Sequence, residues 1–430
     1  MTRDDALALD AHDPLAPLRE LFALPPGTIY LDGNSLGVLP KATPARVAEV
    51  VTGEWGSGLI GSWNQAGWIT LPQRVGDKIA RLVGAAPGEL VAADSTSVNL
   101  YKVLAAALAI VRADAPQRTR IVSERSNFPT DLYIAESLAA ERGFELVLVD
   151  TPEAIPAALD ERCAVLMLTH VNYRTGRLHD MAALTRAAHA AGALAVWDLA
   201  HSAGAVPVEL NAGEADFVDW RTSKSPDFAV GCGYKFLNGG PGAPAFVWAH
   251  RRHAGRFAQP LSGWMGHAAP FEFTPGYRPA PGIARYLCGT PAILALAALE
   301  CGVDTVLAAE PLGGMAALRA KSLALTRLFA DEVRARCPQL VQVSPEADAE
   351  RGSQVCLAAR DEPALAYATV QALIARGVIG DFRAPDILRF GFTPLYLRHV
   401  DAFDAAVQLA EVLERGEWRR PEFNRRQAVT

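Results

Sequence analysis

The sequence predicts an α/β fold, in which a large, mainly parallel sheet is covered by helices and a smaller α+β domain follows it. Two observations lead to this prediction. Between residues 88 and 250, seven short apolar runs alternate with segments of helical periodicity. Near-continuous apolar strands separated by helices are typical of a parallel sheet that is buried on both faces. The chain has 430 residues, half of them hydrophobic, which is enough for two or three domains.

The elements of the large domain follow in order. Residues 1–27 predict a helical lead-in, and the strand-like run 28–31 precedes a polar turn at 32–37. Helices are predicted near 43–56 and 72–84, on either side of a glycine-rich loop with two tryptophans. The seven predicted strands of the sheet are 90–93, 120–122, 145–149, 164–168, 194–197, 228–230 and 245–248. The helices predicted between them are near 97–113, 129–142, 152–160 and 180–191.

The pattern changes from about residue 291, where a long helical region begins. The later elements are strand-like runs at 354–357 and 387–392 and helices near 364–376 and 402–415. We therefore expect three parts. Residues 1–40 would form an N-terminal segment packed with the small domain, residues 41–305 the large domain, and residues 306–430 the small domain.

Composition argues against several classes of partner. The net charge is -6 and no basic tract interrupts the chain, so we expect no nucleic-acid binding. The N-terminus is acidic and lacks an apolar segment, and the apolar stretch Ile293 to Ala309 carries two acids, so we expect neither a signal peptide nor a membrane span. Six cysteines without a Cys-x-x-Cys pair indicate reduced thiols and a cytoplasmic protein.

The residues that follow each strand deserve most weight, because ligands of such sheets bind beyond the carboxyl ends of the strands. After the first strand of the sheet, Ser95, Thr96 and Ser97 open a helix. Hydroxyls and free N–H groups at a helix N-terminus suit a phosphate. The alternative is a simple helix cap, although a cap requires one hydroxyl and three are present.

The next strand ends offer candidates of differing specificity. Phe128 could stack on a flat ring, Asp131 lies early in a helix, and Thr169 belongs to a polar cluster of little intrinsic specificity. Asp198 follows a buried strand directly, with His201 three residues later. Such an acid could keep a pyridine nitrogen protonated. A metal pair or a structural helix start are the alternatives, and a metal is disfavoured because no further ligand cluster shares the spacing.

One lysine stands in an apolar, glycine-rich setting. Lys235 follows Gly-Cys-Gly-Tyr and precedes a turn that contains Gly-Gly-Pro-Gly. A desolvated lysine has a lowered pKa, and only the neutral amine attacks a carbonyl. A tight turn whose lysine reaches water is the alternative. In order along one sheet, these features supply a phosphate cradle, a ring-stacking group, an acid and an amine, which pyridoxal phosphate requires.

In three motifs the sequence resembles the kynureninases, a family of pyridoxal-phosphate enzymes of the aminotransferase-like fold. The resemblance extends over nearly the whole chain. The motifs are Asp-Leu-Ala-His-Ser-Ala-Gly at 198–204, Gly-Cys-Gly-Tyr-Lys at 231–235 with Asn-Gly-Gly-Pro-Gly at 238–242, and Gly-Trp-Met-Gly at 263–266. Other enzymes of the fold share the first motif loosely, whereas the second and third narrow the match.

The resemblance implies a role for each matching residue. Lys235 would bond to the cofactor, Asp198 would contact its pyridine nitrogen beside His201, and Tyr234 would deliver protons. The residues around the cofactor ring would be Phe128, Asp131 and Thr169. The residues of the phosphate region would be Thr96, Ser97, Tyr234, Trp264 and Thr290, the last two supplied by the partner subunit. Arg389 would grip the substrate α-carboxylate, with Ser35 and Trp63 at the aromatic end.

The implied reaction is hydrolytic cleavage of L-kynurenine, or a ring-hydroxylated relative, to anthranilate and L-alanine, in tryptophan degradation and NAD biosynthesis. The implied assembly is a homodimer with the site at the subunit interface. A cysteine desulfurase, a class V aminotransferase or a non-catalytic cofactor-binding protein are the alternatives. The chain departs from the family by an extra polar segment at 218–226, which also supplies a rival lysine, Lys224.

Overall fold

The computed structural model describes residues 1–212, 220–256, 258–359, 362 and 365–426. Its strands, numbered along the chain, are β1 (Ile29–Tyr30), β2 (Leu90–Ala92), β3 (Arg120–Glu124), β4 (Glu145–Val149), β5 (Cys163–Thr169), β6 (Leu194–Asp198), β7 (Phe228–Gly231), β8 (Phe246–Ala249), β9 (Leu340–Gln342), β10 (Gln354–Ala359), β11 (Val378–Ile379), β12 (Asp381–Arg383) and β13 (Ile387–Gly391). All seven strands predicted for the large sheet are present, within one or two residues of the predicted bounds.

The helices agree with the predicted pattern in most places. They are α1 (Arg3–Ala11), α2 (Thr43–Glu49), α3 (Ser62–Gln65), α4 (Leu71–Leu82), α5 (Thr96–Asp114), α6 (Pro129–Arg142), α7 (Ile155–Ala158), α8 (Met181–Ala190), α9 (Ile293–Leu307), α10 (Gly314–Arg336), α11 (Leu365–Ala375) and α12 (His399–Glu414). The helix expected over 152–160 is wrong in extent. A 3₁₀ turn over Pro152–Ala154 precedes only four α-helical residues, because proline stands at the start of both pieces and lacks the N–H that a longer helix needs.

The seven-stranded sheet has the order β2-β8-β7-β6-β5-β3-β4. Among the described strands of this sheet, β8 alone runs opposite to the others, so the sheet is mainly parallel, as predicted. Alternate residues of β5 enter different cores. Val165 and Met167 pack with α5 and α6, whereas Leu166 and Leu168 join the core on the opposite face. Burial on both faces explains why this strand reads as an unbroken apolar run.

Helix α5 is long and apolar enough to cross a membrane by length and composition alone, and more than half of it is buried. Its buried residues, such as Leu100, Val103 and Leu104, belong to the same apolar core as Val91 of β2 and Val165 of β5. A buried apolar helix of this kind is equally typical of the core of a protein that is built around a sheet.

The C-terminal part contains a four-stranded antiparallel sheet in the order β12-β13-β10-β9. The N-terminal segment packs against this part of the chain. Strand β1 pairs in parallel with β11, and the Asp13 carboxylate lies 2.7 Å from the Lys321 ammonium. Asp10 accepts hydrogen bonds from the backbone N–H groups of His399 and Val400. The turn at 32–37 is thereby held beside β13, which positions it for the site.

Candidate active site

The site lies where the carboxyl ends of the central strands meet. Thr169 ends β5 and Asp198 ends β6, and the two are register partners. Lys235 follows the neighbouring strand β7. A cavity, called here the Lys235 cavity, collects most of the predicted site residues. It is lined by Thr96, Ser97, Phe128, Thr130, Asp131, Thr169, Tyr173, Asp198, Ala200, His201, Tyr234 and Lys235.

Lys235 and the rival Lys224 occupy different environments. The Lys235 amine lies 2.9 Å from Nε2 of the buried His201. Lys224 is exposed and precedes β7, at the opposite end of that strand. The glycines around Lys235 serve the chain's own backbone: a Cβ on Gly233 would lie 2.3 Å from the Pro244 carbonyl oxygen, and Gly240 has φ of +83°. Their role in the fold is thus close packing and turn geometry.

Two buried carboxyl groups, those of Asp131 and Asp198, line the same cavity. Burial raises the pKa of Asp198, against the opposing effects of the Lys235 amine and the Ala200 N–H, which donates at 2.8 Å. Burial and the nearby Asp198 raise the pKa of Asp131 well above its ordinary value. Two carboxyl groups in this situation favour a cationic or proton-carrying partner between them.

Thr169 and Asp131 belong to one hydrogen-bond network. The Thr169 hydroxyl donates to Asn127 Oδ1 and lies 3.4 Å from Asp131 Oδ2. The Asn127 amide donates in turn to Ser123 Oγ at 3.0 Å. The Phe128 backbone N–H donates to Asn127 Oδ1 at 2.7 Å, so Asn127 fixes the loop that carries Phe128. The Phe128 ring, 40% exposed, packs edge-on against Tyr173 at 5.3 Å.

The predicted phosphate cradle is the first turn of α5. Ser95 caps this helix by accepting from the Val98 N–H at 3.3 Å, so one of the three hydroxyls has the ordinary capping role. Thr96 Oγ1 is buried and has no hydrogen-bond partner among the described residues. Thr96 and Tyr234 also line a second cavity of about 520 Å³, called the Thr290 cavity, which contains Thr290.

Tyr234 stands between the two cavities. Burial raises the pKa of its phenol above the ordinary value of 10, with further contributions from Cys232 and Asp198. The phenol therefore keeps its proton at neutral pH and can donate a hydrogen bond. The Lys235 amine lies 5.7 Å from the centre of the Tyr234 ring.

Arg389 lies on β13 and is 1% exposed. Its Nε donates to Asp381 Oδ1 at 2.8 Å, and its Nη2 donates to Asp381 Oδ2 and to Ser35 Oγ. Asp381 is its register partner on β12. Nη1 donates to the Tyr173 carbonyl at 2.8 Å. One edge of the guanidinium is thus clamped by a carboxylate, and its Nη1 end is directed toward the loop that lines the Lys235 cavity.

A second acid lies in the same cluster. Burial and the Asp381 charge raise the pKa of Asp32 to about 7, although Arg389, Ser35 and Arg383 oppose the shift. Asp32 Oδ1 is buried without a hydrogen-bond partner within the described ranges. Two carboxyl groups and two guanidinium groups therefore surround Ser35.

Five predicted residues do not line the Lys235 cavity of the single described chain. Thr290 lines the second cavity, Arg389 and Ser35 lie in the cluster around Asp381, and the two tryptophans, Trp264 and Trp63, lie apart from both. The Trp264 ring packs on Phe271 and Phe273 at 5.7 and 6.3 Å. Trp63 lies in α3 and packs edge-on against Trp68 at 6.1 Å. The two tryptophans of this loop are thus partly explained by contact with each other.

Of the extra segment, Val218 and Asp219 lie outside the described residues, as does the Ala-Asp-Phe run at 215–217. The described remainder is anchored at the amino end of β7. The Ser223 carbonyl lies 3.0 Å from His189 Nδ1, and Arg252 Nη2 donates to the Ser225 carbonyl at 2.8 Å. This end of the sheet is opposite the Lys235 cavity.

Sequence reasoning missed four residues of the site. They are Asn127, Tyr173, Gln354 and Asp381. Asn127 and Tyr173 stand in the polar clusters that follow β3 and β5, so their positions after strands were an available signal. Gln354 and Asp381 begin short strands far along the chain, and only the pairing of those strands reveals their neighbours.

Comparison with known proteins identifies relatives along the whole chain. A family model described as the kynureninase C-terminal domain matches residues 318–409. The kynureninase of Burkholderia pseudomallei (strain K96243) is 56% identical over 433 residues, covering 100% of each chain. The kynureninase of Pseudomonas fluorescens is 54% identical, with the same coverage.

Solved structures share the fold at lower identity. A cysteine desulfurase from Thermococcus onnurineus NA1 superposes with a TM-score of 0.75 at 16% identity, covering 93% of this chain and 98% of that one. The cysteine desulfurase CsdA from Escherichia coli gives 0.74 at 19% identity, with the same two coverages. These likenesses support the fold that the sequence predicts. Full-length identities of 54 and 56% show that the chain belongs to the kynureninase family.

Proposed function

We propose that this protein hydrolyses the Cβ–Cγ bond of L-kynurenine to give anthranilate and L-alanine, with pyridoxal 5'-phosphate bound at Lys235. The observation that carries the proposal is the convergence of Lys235, Asp198 and Tyr234 on one cavity, in a chain 56% identical to a named kynureninase over its full length.

The residues present fit this cofactor. Thr96 Oγ1 at the start of α5 is a buried hydroxyl that lacks a partner in the described structure, and a phosphate oxygen would provide one. The buried Asp131 and Asp198, whose pKa values are both raised, would be stabilised by a protonated pyridine nitrogen. Lys235 is the amine of the same cavity, and Phe128 offers a ring face.

When bound, pyridoxal phosphate supplies an electron-withdrawing ring that stabilises negative charge on the neighbouring substrate carbons. Lys235 would hold the aldehyde of the cofactor, and its amine, when free, would take the Cα proton of the substrate. Asp198 would keep the ring nitrogen protonated. Tyr234, whose phenol stays protonated, gives a proton on the substrate side.

Arg389 would bind the substrate α-carboxylate through its Nη1 end, which does not pair with Asp381 and is directed toward the loop of the Lys235 cavity, since a guanidinium can pair with two planar groups at once. Ser35 and Trp63 would lie at the aromatic end. Water adds to the γ-carbonyl, and cleavage of Cβ–Cγ releases the aryl part as anthranilate and the three-carbon part as L-alanine. These steps belong to tryptophan degradation and NAD biosynthesis, in the cytoplasm.

A homodimer with a site shared between subunits completes the proposal. An apolar groove is lined by Val50, Trp55, Trp68, Ala292, Ile293, Leu294 and Ala295. The groove and the Thr290 cavity adjoin each other, because Ala292 lines both of them. Pro291, the residue before Ala292, lines the Thr290 cavity, and Ile293, the residue after it, lines the groove. Trp55 is 58% exposed in the single chain. A partner subunit covering this groove would also bring its residues beside the cofactor phosphate.

A cysteine desulfurase reaction is disfavoured by the thiols. It requires an activated, accessible cysteine thiolate. All six cysteines lie in the described ranges, and burial raises the pKa of every one of them. Cys337 reaches about 11 and Cys356 about 12.

The experiment is to add L-kynurenine to the purified, cofactor-loaded protein and to measure anthranilate by fluorescence and L-alanine by an enzymatic assay. We expect equal amounts of both products and a change in the visible spectrum when substrate is added. Parallel reactions with 3-hydroxykynurenine and L-cysteine rank the substrates. Alanine from cysteine without anthranilate from kynurenine would contradict the proposal.

A further inference from the structure

Gln354 connects three parts of the active site. It is the first residue of β10 and is 1% exposed. Its amide nitrogen donates to the backbone carbonyls of Asn172 and Tyr173 at 3.3 and 3.2 Å. Its amide oxygen lies 3.3 Å from both Asn34 Nδ2 and His201 Nδ1. All four hydrogen-bonding positions of this buried amide are therefore used.

The two carbonyls determine which way the amide points. A carbonyl oxygen only accepts hydrogen bonds, so the group that faces Asn172 and Tyr173 must be the NH₂ of Gln354. The oxygen must then face His201. A flipped amide would place its oxygen against two carbonyl oxygens and its NH₂ against the Asn34 amide.

This orientation determines the tautomer of His201. Because Gln354 Oε1 can only accept, His201 Nδ1 must carry the proton. Nε2, on the far side of the ring, is then unprotonated and accepts from the Lys235 amine at 2.9 Å. Burial, together with the positive charges of Lys235, Arg389 and Arg383, lowers the pKa of His201 well below its ordinary value, so a second proton on the ring is unfavourable.

We propose that Gln354 is a positioning residue that holds His201 as the neutral Nδ1–H tautomer and so keeps Nε2 available to accept from the Lys235 amine. In a neutral amine, the lone pair takes no part in that hydrogen bond and remains free to take a proton or attack a carbonyl. The inference deepens the proposed function and rests on it for its catalytic meaning.

The same amide also contacts the loop beside Arg389, the residue proposed to bind the substrate carboxylate. The Tyr173 carbonyl accepts from both Gln354 and Arg389 Nη1, and Tyr173 lines the Lys235 cavity. Gln354 thus joins the histidine beside Lys235 to the loop that contacts Arg389. Loss of its amide should affect kcat through His201 and KM, to a smaller extent, through Arg389.

The direct test is two-bond ¹H–¹⁵N NMR of the cofactor-loaded protein labelled at its histidines, since it distinguishes protonated from unprotonated ring nitrogens. His201→Gln assigns the His201 signals. In the natural protein we expect protonated Nδ1 and unprotonated Nε2 at neutral pH. Gln354→Met, which keeps the length but removes the amide, should give the Nε2–H tautomer or a mixture, with kcat lower by about tenfold, the effect of one net hydrogen bond.

Two further variants separate positioning from general support of the fold. Gln354→Glu keeps an acceptor toward His201, and we expect it to retain protonated Nδ1 even if the variant is less stable. Gln342→Met is the matched control, since Gln342 Nε2 also donates to two backbone carbonyls, those of Ser344 and Pro345, but lies outside the Lys235 cavity. It should leave the His201 signals and kcat unchanged.

Two results would overturn the inference. One is an Nε2–H tautomer of His201 in the natural protein, and the other is an unchanged His201 tautomer in Gln354→Met. The NMR result does not depend on turnover, so a natural protein that shows the Nδ1–H tautomer but does not cleave kynurenine would contradict the proposed function and leave the positioning role standing.

Discussion

Lys235 and Lys224 provide a matched pair at the scale of single residues. Lys235 lies in the cavity beside His201, whereas Lys224 is exposed before β7. We expect Lys235→Ala to lose the visible absorption of bound cofactor and all measurable turnover, because no other amine lines that cavity in the described structure. Lys224→Ala should keep both. Spectra and anthranilate release measure the outcome, and the reverse pattern would make the assignment wrong.

Arg389 allows a prediction about substrate binding. Asp381 clamps its Nε and Nη2, and a lysine cannot pair with that carboxylate and with a substrate carboxylate in the same plane. Arg389→Lys should therefore raise KM about ten- to a hundredfold, the range for one or two charged hydrogen bonds, with a smaller change in kcat. Arg334→Lys, whose acidic partners lie on the surface, is the control. A loss confined to kcat would argue against a carboxylate-binding role.

Asp32 should make the stability of the protein depend on pH. Its pKa is raised from 3.8 to about 7 by burial and by Asp381, so the folded state binds this proton more tightly than the unfolded state. Stability from this group is greatest below the unfolded pKa and falls as pH rises toward about 7. Asp32→Asn should thus raise the melting temperature at a pH of about 8 and much less at about 5. Equal shifts at both pH values would contradict this.

Single residues also show what the sequence can predict. Asp198 and Lys235 could be chosen from the sequence as candidate cavity residues, because each lies at or after the end of an apolar strand of a parallel sheet, where ligands bind. Gln354 and Asp381 could not be chosen in this way. Each begins a strand and contacts its partner, His201 or Arg389, only after distant segments of the chain have paired.

At the scale of elements, the amino ends of β6 and β7 are held by a buried charge cluster. Asp227 is fully buried and accepts from His189, Arg252, His253 and the Ala195 N–H. Despite burial, the Arg252 and His189 charges hold the pKa of Asp227 well below its ordinary value. The cluster also anchors the described part of the extra segment. We therefore interpret the described part of that segment as structural, since it lies at the end of the sheet that is opposite the Lys235 cavity.

Asp227→Asn should destabilise the protein by about 3–5 kcal/mol, because it leaves buried cationic partners without their carboxylate. Since the pKa is depressed, the stabilisation is present above the unfolded value of 3.8 and is lost as pH falls through the lower folded value. Calorimetry from neutral to acidic pH measures it, with the exposed Asp150→Asn as control. Activity per folded molecule should stay near that of the natural protein, and a selective loss of activity would contradict a purely structural role.

Element length explains which parts of the fold were predictable. β5 and β6 are buried on both faces and read as apolar runs that no turn interrupts. β11 and β12 have two and three residues, too few to show a period, and they exist because β1 and β13 pair with them. The N-terminal strand and two strands of the C-terminal sheet, β10 and β13, could therefore be located. The strands β9, β11 and β12 could not, nor could the joint position of these parts beside the cavity.

At the scale of the whole molecule, the site is assembled from parts that are far apart in the chain. Ser35 comes from the N-terminal turn, Lys235 from the large sheet, and Arg389 from the C-terminal sheet. Gln354 bridges the first and second of these parts, and Tyr173 the second and third. The site therefore requires the complete fold of one chain, and Trp264 and Thr290 are the candidates expected to come from a partner subunit.

We predict that two chains assemble through the apolar groove that contains Leu294. Leu294 is 40% exposed in the apolar groove, and a buried charge at a subunit contact is costly. We expect the natural protein to have twice the chain mass of 45.9 kDa in light scattering, and Leu294→Arg to be monomeric. If partner residues complete the phosphate site, the monomer should also bind pyridoxal phosphate more weakly. Leu9→Arg, at a similarly exposed leucine of α1, should remain dimeric. A Leu294→Arg dimer with unchanged cofactor affinity would place the subunit contact elsewhere.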